Sequence, residues 1–122
     1  IIKKKWIDDC INIIKKNKKI TSVVPVIKNN DNHPLRAKKI VNGFLKSYII
    51  EKNSSSNRQE LESCYFLCHN FWVIKTREIF KNNGYSPWNF MGKRVKSYVI
   101  SRSIDIHEKE DLEIAKLFMK KI

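Results

Sequence analysis

The chain has 122 residues, a mass of 14.5 kDa and a formal net charge of +13 at pH 7. This length can bury one hydrophobic core without requiring disulfides or a metal ion, so we expect a single domain over residues 1–122, which a longer protein could contain. Charged and polar residues interrupt every apolar run before the roughly 20 residues of a membrane-spanning helix, so we expect no transmembrane segment.

The first predicted element is a helix over residues 3–19. Its apolar residues recur at spacings of three and four, acidic residues lie near its amino end, and lysines lie near its carboxyl end, as the helix dipole favours. The stripe consists of Trp6 or Ile7, Cys10, Ile11 and Ile14. After this helix, Thr21 can cap a short second helix, and an extended segment from Val23 to Ile27 is the alternative.

A long helix is predicted to begin at Pro34, because proline is favoured in the first turn of a helix. Apolar residues between Ala37 and Ile49 keep the same spacing. Gly43 in its interior would cost roughly 1 kcal/mol relative to alanine, which indicates close approach of another helix. The outward side of this helix is basic and carries Arg36, Lys38, Lys39 and Lys46.

The central prediction is a helix from Asn57 to Lys81 that is apolar nearly all round. Asn57 and Glu60 have the spacing of a capping pair, and residues 52–57 (KNSSSN) predict a flexible connection before it. A helix with so little polar surface must be surrounded by other elements. The sequence therefore predicts an all-α bundle of four to six helices packed around this one, with a core that includes Leu61, Cys64, Tyr65, Cys68, Phe71 and Trp72.

Two further helices complete the predicted bundle. Ser86 and Pro87 have the cap-then-proline pattern of a helix that runs to about Arg102. Asp105 and Glu108 form a capping pair before the last helix, which ends with several lysines.

The residues that could support chemistry do not form a convincing site. Cys64, Cys68 and His69 are the most metal-like group, but no second pair completes the four ligands of zinc. His33 and His107 have no nucleophile or carboxylate at a spacing typical of a relay. We therefore predict a non-enzymatic protein with no metal and no cofactor. Three cysteines form an odd set, and reduced, buried cysteines favour an intracellular compartment.

The charge favours an anionic partner, with nucleic acid as the first candidate. A coding sequence rich in A and T would also produce it, because Lys outnumbers Arg 20 to 5 and Ile, Lys and Asn make up 50 of the 122 residues. We therefore give the charge half its usual weight. The leading hypothesis is a basic helical module that contacts the backbone of RNA or DNA through Arg36, Lys38, Lys39, Lys46, Lys93, Arg94 and Lys96.

The alternative is a protein-docking bundle that binds a partner peptide or helix in a groove, with exposed Trp6, Trp88 or Phe90 as anchors. The trace Met91-Gly92-Lys93-x-Val95, followed by Ile114-Ala115-Lys116-Leu117, resembles the small helical docking domain of transcription elongation factor S. The tryptophan that follows the final Ala-Lys-Leu in that family is absent here. We do not assign the chain to that family, but the resemblance keeps the docking alternative open.

Overall fold

A computed structural model describes residues 1–50 and 61–121 of the chain. Within these residues the protein forms three α-helices and six β-strands, so the prediction of an all-α bundle is wrong. The helices are α1 (Lys4–Lys16), α2 (Thr76–Lys81) and α3 (Lys109–Met119). The strands are β1 (Ser22–Lys28), β2 (Lys38–Val41), β3 (Phe44–Ser47), β4 (Tyr65–Leu67), β5 (Val73–Ile74) and β6 (Val95–Val99).

Contacts within the chain define two compact units. The sheet unit comprises Ile1–Ile27 and Leu67–Ile122, and the hairpin unit comprises Lys28–Phe66. The prediction of one domain over residues 1–122 stays a prediction. The predicted connection at 52–57 and the Asn57–Glu60 capping pair lie outside the described residues.

Strand β1 organises the sheet unit. Its first five residues, from Ser22 to Val26, are all buried, as expected for a strand covered on both faces. On one side β1 pairs in parallel with β6, from Ser22 opposite Val95 to Val26 opposite Val99. On the other side it pairs with antiparallel β5, and the sheet order is β4-β1-β5. Of the two alternatives for this segment, the extended one is confirmed.

Helix α1 covers this sheet and supplies much of the core. Cys10, Ile20 and Val23 form a buried cluster with partly buried residues of α1, β5 and β6 around it. The predicted first helix is confirmed, although it ends at Lys16 instead of Lys19. The side chain of Asn17 accepts a hydrogen bond from the Lys19 amide at 3.0 Å, and this local turn replaces the last helical turn.

The predicted central helix from Asn57 to Lys81 is wrong. Its described part contains β4, β5 and the short α2, with irregular chain between them. The Cys68 amide donates to the Pro25 carbonyl of β1 at 2.9 Å, so backbone groups in this segment bond to β1 instead of to their own turn. Tyr65 and Phe66 are 47% and 41% exposed, which excludes the fully enclosed position predicted for them.

The helix predicted from Pro34 is also wrong. Pro34 begins a single 3₁₀ turn, Pro34–Arg36, which is followed by the antiparallel hairpin of β2 and β3. Asn42 and Gly43 connect the strands with φ angles of +51° and +82°. Two successive left-handed residues give the loop a twist that matches the strands, whereas an α-helix needs negative φ at both positions.

The helix predicted over residues 86–102 is replaced by a 3₁₀ turn, Asn89–Met91, and strand β6. Met91 ends a 3₁₀ turn and Val95 lies in a strand. These residues therefore do not form the α-helix that the resemblance to the docking domain implies. The chain bends at Gly92, where φ is +79°, and this bend brings Arg94 to Thr21.

The last predicted helix is confirmed as α3. Glu108, not Asp105, is its N-cap, and Glu108 and Asp111 form a reciprocal capping box. Hydrogen bonds from the backbone amides of His107 and Glu108 lower the pKa of the Asp111 carboxyl. None of the helices in the described residues is both long and apolar enough to cross a membrane.

Candidate nucleic-acid interface

The β2–β3 hairpin places lysines and an aromatic ring on one face. In its ladder, Lys39 lies opposite Lys46 and Val41 lies opposite Phe44. Because side chains alternate along a strand and paired residues share a face, these four side chains project from the same side. We call this face the hairpin surface; it consists of Lys39, Val41, Phe44 and Lys46.

The hairpin surface is accessible and carries an uncompensated positive charge. Phe44 is 71% exposed, and both lysines are exposed. Within the part of the chain that the structure describes, neither Lys39 nor Lys46 has a hydrogen-bond or ion-pair partner. Like charges directly opposite each other in a sheet destabilise it. An anion placed between the two ammonium groups would relieve this repulsion.

Lys38 and Arg36, the other two predicted nucleic-acid contacts near the hairpin, do not lie on the hairpin surface. Lys38 lies on the opposite face, where its Nζ donates to Ser47 Oγ at 3.2 Å. Arg36 Nη1 donates to the Asp31 carbonyl at 2.9 Å and lies 3.8 Å from the Asp31 carboxylate. The structure therefore brings Lys39 and Lys46 together and leaves Lys38 and Arg36 off the hairpin surface.

Lys93, Arg94 and Lys96 lie in the sheet unit, at the start of β6. All three side chains are exposed, Lys93 and Arg94 lie in irregular chain and Lys96 lies in β6, so the predicted helical stripe does not exist. The backbone of Arg94 is fixed by Thr21: its amide donates to Thr21 Oγ1 at 3.1 Å, and its carbonyl accepts from the Thr21 amide at 3.0 Å. Lys96 is opposite Val23 in the parallel ladder.

The predicted docking residues Trp88 and Phe90 belong to a ring cluster. Trp72 lies 5.8 Å from Trp88 and 5.9 Å from Phe90 between ring centroids, and His69 lies 5.4 Å from Trp72. Trp88 and Phe90 are half-buried, in contrast to the exposed anchors expected from the sequence. The indole nitrogen of Trp72 donates to the Cys68 carbonyl at 2.8 Å, which holds the cluster against the backbone.

Trp6, the third predicted anchor, is half-buried in α1 and pairs with a cation. The Lys3 Nζ lies 5.5 Å from the centre of its ring. This distance falls within the range of a cation–π interaction.

Cys64, Cys68 and His69, considered above as metal ligands, do not share a helix turn. Cys64 precedes β4 in the hairpin unit, whereas Cys68 is buried in the sheet unit. Within residues 1–50 and 61–121, no three His, Cys, Asp or Glu side chains are grouped as metal ligands would be.

Phe44 was not among the predicted site residues, because the helix predicted from Pro34 placed it on the core side. Asn42-Gly43 is the signal that could have identified it, since this dipeptide is the preferred loop of a two-residue hairpin. A hairpin centred there places Phe44 and Lys46 on one face.

The chain matches no known family of proteins, and no curated protein matches it significantly.

Proposed function

We propose that this protein binds single-stranded RNA or DNA, and that the hairpin surface makes the central contact. The observation that supports this most directly is the pair of opposed lysines, Lys39 and Lys46, beside the exposed ring of Phe44. The proposed activity is binding, without catalysis. It retains the nucleic-acid hypothesis from the sequence and replaces the helical module with a β-hairpin.

The two lysines supply the electrostatic part of the contact. Directly opposed residues of an antiparallel pair have Cβ atoms roughly 5 Å apart, so both ammonium groups can reach one phosphate or two successive phosphates. Each phosphate that is neutralised releases condensed counterions, which makes the affinity depend on salt. The net charge of +13 would also attract a polyanion from a distance.

Phe44 is the reason to propose a single strand instead of a duplex. An exposed aromatic ring can stack on an unpaired base, and such stacking contributes about 1–3 kcal/mol per base with little sequence preference. In a duplex the faces of the bases are covered by their neighbours, and only the phosphates would remain for the lysines. Affinity should therefore be higher for single strands.

Lys93, Arg94 and Lys96 provide a second exposed basic group in the sheet unit. We propose that they contribute phosphate contacts without base stacking. Substituting them should weaken single-strand and duplex binding by similar factors, because a phosphate contact carries no information about the bases.

A matched pair of substitutions tests the proposal. Phe44→Ala removes the ring from the hairpin surface, and Leu45→Ala removes an equally exposed apolar side chain, at 70%, from the opposite face. We expect Phe44→Ala to weaken binding of a fluorescent single-stranded oligonucleotide at least fivefold, the lower end of the stacking range. Leu45→Ala should leave the affinity unchanged. Equal effects of the two variants, or tighter binding to duplex than to single strand, would overturn the proposal.

Docking of a protein through Trp6, Trp88 or Phe90 is the less favoured function. Trp88 and Phe90 contact other rings in a half-buried cluster, so their apolar surface already has partners within the sheet unit. An anchor residue instead requires a side chain that a partner can desolvate. We therefore expect Trp88→Ala to lower the melting temperature, as loss of a packed ring does.

A further inference from the structure

The sheet unit contains a cleft of about 270 Å³ between the start of α1, the chain after β6 and the end of α3. Its apolar walls come from Ile1, Trp6, Ile104 and Phe118, and its cationic side chains are those of Lys3, Arg102 and Lys121. Within the described part of the chain, no carboxylate lines the cleft. The combination of flat rings and unbalanced positive charge differs from an ordinary solvated surface.

Arg102 is held in a specific position within this cleft. Its guanidinium carbon lies 3.9 Å from the centre of the Phe118 ring, the distance of a stacked cation–π contact. Among the described residues, the Arg102 side chain has no hydrogen-bond or ion-pair partner. The second face of the guanidinium and its N–H groups therefore remain available to a ligand.

The other two cations are also without acidic partners. Among the residues described, Lys3 and Lys121 form no ion pair, and Lys3 Nζ lies 5.5 Å from the centre of the Trp6 ring. Three cations near one recess attract a multiply charged anion more strongly than any one of them would. The hydroxyls of Ser101 and Ser103 add polar groups to the same wall.

We propose that this cleft binds a nucleoside monophosphate group, either as a free nucleotide or as the phosphorylated terminal nucleotide of a strand. The base stacks on the free face of Arg102 or on Trp6, since bases stack on both aromatic and guanidinium planes. The phosphate accepts charge-assisted hydrogen bonds from Arg102 and from Lys3 or Lys121. This proposal does not depend on the hairpin surface.

The size and lining of the cleft favour a ligand that contains both an aromatic ring and an anionic group. At about 270 Å³ the cleft lies just below the usual range of about 300–1,000 Å³ for ligand clefts, so it has room for at most one nucleotide and is too small for a longer segment. A simple anion would leave the apolar surface that Trp6, Ile104 and Phe118 present to the cleft uncovered. A neutral ring would leave three cations uncompensated. A nucleoside monophosphate satisfies both parts of the lining.

Calorimetry on the complete chain tests the ligand class with AMP, adenosine and inorganic phosphate as probes. We expect AMP to bind at least tenfold more tightly than either of the other two. Equal affinity for adenosine would overturn the role of the cations, and equal affinity for phosphate would overturn the role of the rings. Absence of binding by AMP and by a 5′-phosphorylated oligonucleotide would overturn the proposal as a whole.

Two oligonucleotides of one sequence, with and without a 5′-phosphate, distinguish the sources of the ligand. Tighter binding of AMP than of the phosphorylated strand identifies a free nucleotide, and a clear preference for the phosphorylated over the unphosphorylated strand identifies a strand terminus. Either result supports the cleft. Binding of the unphosphorylated strand reports on the hairpin surface, and the tenfold preference for AMP over adenosine and phosphate reports on the cleft, so failure of the hairpin proposal and failure of the cleft proposal give different results.

Substitution of Arg102 tests the residue assignment. We expect Arg102→Gln to weaken AMP binding at least tenfold, whereas Arg77→Gln, which removes an exposed arginine outside the cleft, should have no effect. Circular dichroism is the check that each variant is folded. If Arg102→Gln does not fold, the pair Lys3→Gln and Lys121→Gln should give the same loss. Unchanged AMP affinity in a folded cleft variant would overturn the assignment.

Discussion

Lys39 lies directly opposite Lys46 across the β2–β3 ladder, on the same face as Phe44. A like-charge pair at opposed positions destabilises a two-stranded sheet, and a hairpin alone is only marginally stable in water. Within the described residues no acidic side chain offsets the repulsion. The phosphate contact that we propose for this pair would relieve the repulsion and stabilise the hairpin when the ligand is bound.

The first prediction concerns Tyr98. Its hydroxyl donates to Asp9 Oδ2 at 2.6 Å, which joins β6 to α1. This hydrogen bond, with burial and the charge of Asp9, raises the pKa of Tyr98 from 10.0 to about 12. The contribution of the Tyr98–Asp9 hydrogen bond to the free energy of unfolding is therefore complete below pH 10 and is lost as the pH rises towards about 12. Tyrosinate absorbance of the wild type minus that of Tyr98→Phe should show a group with a midpoint near 12; a midpoint near 10 would contradict the assignment.

The same contact predicts an effect in acid. Hydrogen bonds from Lys5 and then Tyr98 lower the pKa of Asp9 below 3.8. Stability from this carboxylate is present above pH 3.8 and is lost as the pH falls through the lower value in the folded protein. Tyr98→Phe should therefore raise the pKa of Asp9, which an NMR titration of its carboxyl group would detect. An unchanged pKa of Asp9 would contradict a contribution from the Tyr98 hydroxyl.

The second prediction compares two glycines with similar positive φ angles, +82° at Gly43 and +79° at Gly92. A Cβ at Gly43 would meet no atom within 4 Å, whereas one at Gly92 would lie 2.6 Å from Thr21 Cβ. Both alanine variants incur backbone strain, but only Gly92→Ala must also displace Thr21. We expect Gly92→Ala to reduce the free energy of unfolding by about 1–3 kcal/mol more than Gly43→Ala. Thermal unfolding followed by circular dichroism provides the comparison, and equal losses would contradict it.

The third prediction concerns Ser22, which is fully buried at the start of β1. Its Oγ donates to the Met91 carbonyl at 2.9 Å and ties β1 to the 3₁₀ turn before β6. Ser22→Ala should cost about 1–3 kcal/mol, because a buried carbonyl loses its donor. Ser97→Ala, an exposed serine of β6, is the control and should change stability little. Denaturant unfolding of both variants measures the difference; similar values would show that the hydrogen bond contributes nothing.

The two long helices could be predicted because their signals are local. α1 has lysines in its last turn, where the helix dipole favours cations, and an apolar stripe that includes Cys10, and α3 begins at a capping box formed by Glu108 and Asp111. These features depend on residues within a few positions of one another. They therefore favour a helix independently of how distant parts of the chain pack.

Apart from β1, which was one of two stated alternatives, the strands were missed because spacings of three and four also arise by chance in a sequence rich in apolar residues. Around Phe44 the sequence satisfied a helical pattern, but the backbone angles required by Asn42 and Gly43 favour a hairpin. Val95 to Val99 pairs with Ser22 to Val26, more than 70 positions away, and no local pattern encodes that pairing. Short apolar runs such as 64–68 and 71–74 fit a buried strand or a helix equally well.

The most direct test of the proposed function is the salt dependence of single-strand binding by a variant with Lys39→Gln and Lys46→Gln. Its control carries Lys109→Gln and Lys120→Gln, two exposed lysines of the sheet unit, so the net charge changes equally. For single strands each phosphate contact contributes about 0.7 to the slope of log K against log salt concentration. We predict that the hairpin variant binds more weakly and loses roughly 1.4 from this slope, while the control keeps the wild-type slope. Identical slopes for the two variants would contradict a phosphate contact at the hairpin surface.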